Sequence, residues 1–141
     1  MPPALTPALA LDYVRELSAD VRAGVVLDGA GELLAGLPQL AAAARALMDA
    51  AGHAAEVEAV SPEGVVCAVR SADRAAIAVC GRFALPGVVR QDLRIALAAL
   101  GGGHPPAGAA ASVSGPGEPG DSALAAAASD LISAVQRQSA G

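Results

Sequence analysis

The chain has no lysine and no tryptophan, and its 141 residues include one tyrosine, one phenylalanine and two cysteines. Each scarcity excludes a class of function. Without lysine there is no Walker-type phosphate-binding residue, so a P-loop nucleotide hydrolase is not expected. Without aromatics there is no platform on which bases could stack. Nine basic residues, all arginine, stand against fourteen acidic ones for a net charge of −5, with no basic stripe. Nucleic-acid binding is therefore not expected. No apolar run approaches the roughly 18 residues needed to span a bilayer. The opening MPPALTPALALDYVREL carries acidic residues and lacks a basic leader region. Neither a secretory signal nor membrane insertion is expected, and a cytoplasmic location is. Cys67 and Cys80, without close spacing or a helper histidine, make neither a disulfide framework nor a metal site. No cofactor is implied.

What is present is alanine, which makes up about half of the 54% hydrophobic content. The core must be built from Leu, Val, Ile and Ala, and the length allows one domain of roughly 100 residues plus an appendage. Such a core buries less area per residue than an aromatic one, so self-association would add useful burial.

Hydrophobic period and punctuation divide the chain. Thr6 followed by Pro7 starts a helix expected to run to Ala19, with Leu9, Tyr13 and Leu17 as its buried stripe and Asp12, Arg15, Glu16 and Asp20 off it. The segment LSADVRAGVVLDGAGELLAG then reads as a β-hairpin: Ala23–Leu27, a turn at Asp28, Gly29, Ala30 and Gly31, and a return over Glu32–Ala35. Pro38 opens a second helix that Gly52 ends. Leu40, Ala43, Ala44, Leu47, Met48 and Ala51 share one of its faces. The opposite side, Gln39, Ala42, Arg45, Ala46, Asp49 and Ala50, is small enough to let another helix approach. From Glu56 the period drops to two, giving EVEAV, VVCAVRS and AAIAVCG as a three-stranded antiparallel meander, with turns at Ser61–Gly64 and at Asp73 and Arg74. After Pro86 and Gly87, Val89, Leu93, Ala96, Leu97 and Leu100 form the inner face of a third helix, while Arg90, Asp92 and Arg94 face water. Gly101–Gly120 is Gly, Pro, Ala and Ser almost throughout and reads as a flexible linker. Asp121 or Ser122 caps a last helix whose Leu124, Ala128, Leu131, Ile132 and Val135 share a face. That helix should dock on the domain or fold against a partner, because alone it is marginal in water.

No reactive constellation emerges. The Asp28–Gly31 DGAG lacks the third glycine of a nucleotide fingerprint and lies between two strands, so it reads as a hairpin turn. His53 and His104 lie in loops, far from any nucleophile. Cys67 and Cys80 fall on adjacent strands, opposite each other if the turn centres on Asp73 and Arg74, and read as small core hydrophobes with a redox pair as the alternative. Nothing singles out one arginine for insertion into a partner's nucleotide site.

The order helix, two strands, helix, three strands, helix, together with ADVRAGVVLDGAGELLAG, resembles the Roadblock/dynein light-chain family. The resemblance covers Leu5 to Leu100 and is most specific over Asp20–Ala35. It implies an α+β, profilin-like α/β/α sandwich, with a five-stranded antiparallel sheet carrying the second helix on one face and the first and third on the other. The expected organisation is a domain over 1–100, a linker over 101–121 and a C-terminal amphipathic helix over 122–141. The resemblance further implies a non-enzymatic homodimer paired through the second helix and third strand to make one continuous sheet. Here that places Leu40, Ala43, Ala44, Leu47, Met48, Ala51, Glu56, Val57 and Glu58 at the interface. Bacterial relatives commonly act with a Ras-like small GTPase, and Gln39, Arg45 and Asp49 would be the partner surface. A ligand-sensing module of the same shape and a self-assembling structural subunit are the alternatives.

Overall fold

Thr6 caps the first helix as its sequence suggests, its Oγ1 accepting a hydrogen bond from the Leu9 amide at 3.2 Å, with Pro7 in the first turn. In the computed structural model, which describes residues 6–52, 54–71, 73–99, 110–114 and 119–140, this helix, α1, spans Pro7–Leu17. Its buried side chains are Ala10, Leu11 and Val14, while Leu9, Tyr13 and Leu17 are exposed. The four-residue stripe expected to face inward thus lies on the solvent side. The reason is a close seat on the sheet. A Cβ at Gly24 would stand 2.7 Å from Leu11 Cδ2, so the missing side chain lets Leu11 drop onto the strand and fixes the rotation of the helix.

The hairpin forms as expected, with β1 at Val21–Asp28 and β2 at Leu33–Gly36. Asp28 Oδ1 accepts from the amides of Ala30 (2.8 Å) and Glu32 (2.9 Å), and Gly31 adopts φ +85°, a region open to glycine. The turn amides are thus satisfied by the aspartate itself and are not presented to a phosphate. Pro38–Leu40 forms one 3₁₀ turn before α2, Ala41–Ala51, which Gly52 ends at φ +63°. The meander follows as β3 (Glu56–Ser61), β4 (Gly64–Arg70) and β5 (Arg74–Cys80), then α3 (Pro86–Ala99).

Two elements come from the C-terminal third. The segment Ala110–Ser114, inside the stretch expected to be linker, is a strand, β6. The last helix, α4, spans Pro119–Ala140 and begins before the expected caps at Asp121 or Ser122. The sheet order is β2-β1-β5-β4-β3-β6; the five expected strands are antiparallel, and β6 adds a sixth, parallel to β3, from Glu56↔Ala110 to Val60↔Ser114. Residues as short as these suit an outermost strand, which has a ladder on one side only. His53, Leu100, His104 and most of the expected linker lie outside the described residues.

The layers follow from helix and strand dimensions. Strands lie about 4.8 Å apart and a helix is about 10 Å across, so one face of five strands takes two helices. On one face α1 and α3 pack together over Val26, Val65, Cys67, Val69 and Ala76. On the other, α2 provides one helix and α4 the second, burying Leu124, Ala127, Ala128, Leu131, Ile132, Ala134 and Val135 in the same cluster as Leu47, Val57, Val66 and Ile77.

Candidate functional site

The residues assigned to the second helix and third strand divide into three environments. Leu40, Ala44, Leu47, Met48 and Val57 are buried in the core between the sheet, α2 and α4. Ala43 and Ala51 are half-buried against that core. Gln39 of the 3₁₀ turn, with Ala42, Arg45, Ala46 and Asp49, forms the exposed back of α2, the small-residue surface marked for close approach, whereas Ala50 of that set is half-buried against the core. The interface set is therefore not one contiguous outer face. Its apolar members point into a core that α4 completes, and the β3 edge is paired by β6.

Glu56 and Glu58 go elsewhere. Alternation along β3 sends Val57 and Ala59 toward α2 and α4 and the two glutamates toward α3. There Arg94 Nη1 donates to Glu56 Oε2 at 2.6 Å, and Arg90 meets Glu56 at 3.4 Å and Glu58 at 3.9 Å. Arg90 and Arg94, expected to face water, instead clamp α3 to β3. The signal was in the spacing: arginines four apart share a helix face, and glutamates two apart share a strand face.

Two further arginines brace α2. Arg70, at the end of β4, donates to the carbonyls of Met48 (2.9 Å) and Gly52, the last carbonyls of the helix, where a cation also faces the negative end of the helix dipole. Arg45 Nη1 donates to the Gly31 carbonyl at 3.1 Å, tying α2 to the hairpin turn. Both arginines line a cleft of about 410 Å³ between that turn, the end of α2 and the β4–β5 turn. Their guanidinium groups are spent on backbone carbonyls, which makes the cleft a junction between elements.

The cysteines are on one face but not opposite each other. Ser71 N donates to Arg74 O at 2.8 Å and Arg70 pairs with Ala75, so the β4–β5 turn closes one residue earlier than expected. That shift sets Cys67 against Ala78 and Cys80 against Val65. Both are free, buried thiols. Burial pushes each thiol up to about 12, with Glu58 adding to the effect at Cys67 and with Cys67 and Asp20 adding to it at Cys80. Neither is a nucleophile near neutral pH. Among the described residues no three His, Cys, Asp or Glu side chains gather as a metal site, and no helix is long and apolar enough to cross a membrane.

No family model matches the sequence, and no curated protein matches it. A crystal structure of the Roadblock/LC7 domain from Streptomyces avermitillis is similar, with a TM-score of 0.54 and 19% identity, over 63% of this chain and 92% of that one. Nearly all of that domain is thus accounted for, while more than a third of this chain has no counterpart in it. With two helices over one face of an antiparallel sheet and the expected order of elements, the chain has the Roadblock/LC7 fold.

Proposed function

We propose that this protein is a non-catalytic regulatory or scaffold domain that docks a Ras-like small GTPase through the exposed back of α2 and pairs with a second copy through α2 and β3. The observation that carries the reading is the exposed back of α2 in a chain of Roadblock/LC7 fold. There Gln39, Ala42, Arg45, Ala46 and Asp49 give an exposed surface with one positive and one negative side chain, braced by Arg70 at the end of the helix and by Arg45 on the hairpin turn. A surface of short side chains lets a partner's backbone come close at little entropic cost. Arg45, Arg70, Arg90 and Arg94 are directed to carbonyls and carboxylates and both thiols are buried, an arrangement for holding shape.

The test is co-purification of the tagged full chain from its native lysate, once with GDP and once with a non-hydrolysable GTP analogue. Recovery of a small GTPase with the analogue, lost on Ala46→Arg and Asp49→Arg, supports the reading. Recovery of no GTPase in either nucleotide state overturns it.

A further inference from the structure

The C-terminal third supplies one strand to the β3 edge and one helix beside α2. We propose that β6 and α4 form a cis-acting arm that occupies the surface a second copy of this chain would use, so that pairing requires the arm to lift. The inference rests on the proposed pairing through α2 and β3.

The geometry is that of a substitution. Without the arm, β3 is an edge strand with unpaired amides and carbonyls, and the face over β3, β4 and β5 loses the helix that packs on it, since α4 lies over these strands and α2 over β1. What such a surface lacks is one strand and, beside it, one helix. A second copy related by a two-fold axis beside β3 would bring its own β3 to that edge, with its α2 on the same face of the joined sheet. A two-fold pairing of β3 with β3 is antiparallel, whereas β6 runs parallel to β3. The arm therefore fills the surface without copying the pairing it replaces, and the two cannot coexist on one edge.

The attachment suits release. None of the described α4 side chains makes a hydrogen bond or ion pair to the rest of the domain; the arginine clamps all lie within the first 99 residues. Three of the seven buried side chains of α4 are alanines, and Ile132 rests over Gly64, a contact that can open without stranding a polar group. On the ladder side β6 has five residues and one neighbour.

The test is the mass of the full chain by sedimentation velocity across a concentration series, with circular dichroism and a thermal melt as checks on folding. Wild type is expected to run as a monomer of 13.6 kDa. Two full-chain variants lift the arm independently: Ser112→Pro with Val113→Pro removes a ladder donor from β6 whichever of the two faces β3, and Leu131→Glu drives α4 off the core. Each is expected to double the mass while keeping the β3 amides protected from hydrogen exchange. A wild-type chain already dimeric, or a folded variant that stays monomeric in both designs, overturns the proposal. If one variant unfolds, the other decides; if both unfold, the arm is an integral part of the core and the proposal falls. The mass is read without any GTPase. Variants that dimerise but capture no GTPase sink only the functional reading, and variants that stay monomeric beside a wild type that captures one sink only the arm.

Discussion

Arg70 joins elements that sequence spacing does not relate, since its two carbonyl partners lie 18 and 22 positions away. Arg70→Ala is expected to lower stability by about 1–2 kcal/mol, measured by urea denaturation, because it strands carbonyls at the end of α2 and removes a charge from the negative end of its dipole. Arg70→Lys should recover only part of that, since an ammonium cannot span two carbonyls as a planar fork does. Glu56→Gln is expected to cost about 1–2 kcal/mol by the same measurement, as Arg94 and Arg90 lose their shared partner, with a smaller loss at high salt. The thiols give a pH dependence of definite sign. Cys67 and Cys80 hold their protons up to about 12 when folded and release them near 9 when unfolded. Their contribution is complete below pH 9 and is lost as the pH rises from 9 toward 12, because the unfolded chain there binds fewer protons than the native one. A denaturation series in that window should show stability falling with pH, and Cys67→Ala with Cys80→Ala should flatten the slope. In native protein near pH 7.5 neither thiol should react with a disulfide reagent.

Whether a helix exists, and which of its faces lies inward, are separate problems. The bounds of α1 were legible to within two residues from Thr6, Pro7 and the apolar period. Its orientation was not, because Leu9, Tyr13 and Leu17 and the set Ala10, Leu11 and Val14 are both legitimate helical stripes, and the choice between them was made by Gly24 on another strand. Leu11→Ala should therefore cost about 2–3 kcal/mol, and Leu17→Ser should stay within about 0.5 kcal/mol, by equilibrium unfolding. The reverse ranking would restore the stripe read from the sequence. For α3 the period did select the right face, Val89, Leu93, Ala96 and Leu97, because no rival stripe competed. The β4–β5 hairpin shows the sensitivity of register: a turn displaced by one residue moved the two cysteines apart by two. The strand β6 had almost no local signal, since an alanine- and serine-rich segment flanked by Gly and Pro pairs only when an edge is offered to it.

Over the whole molecule, the five antiparallel strands were readable from period and turns, while their union in one layered sheet was implied by the family resemblance. The completion of one face was not, because it depends on counting helices against sheet width. Opening should follow the same hierarchy. Native-state hydrogen exchange is expected to be slowest in β4 and β5, the two central strands, and fastest among the strands in β6, with α4 releasing at lower free energy than α3. Equal protection in β6 and β5 would mean that the arm opens only with global unfolding. The position of the arm in the chain has a further consequence, which concerns biosynthesis. Synthesis proceeds from the N-terminus, so α1, the first five strands, α2 and α3 leave the ribosome before Ala110–Ser114 and α4 do. During that interval every nascent chain carries an open strand edge beside a half-covered sheet face. Under the proposed pairing, neighbouring chains on one message would meet as partners before either closes itself, and the time the C-terminal segment takes to leave the ribosome would set how long that opportunity lasts.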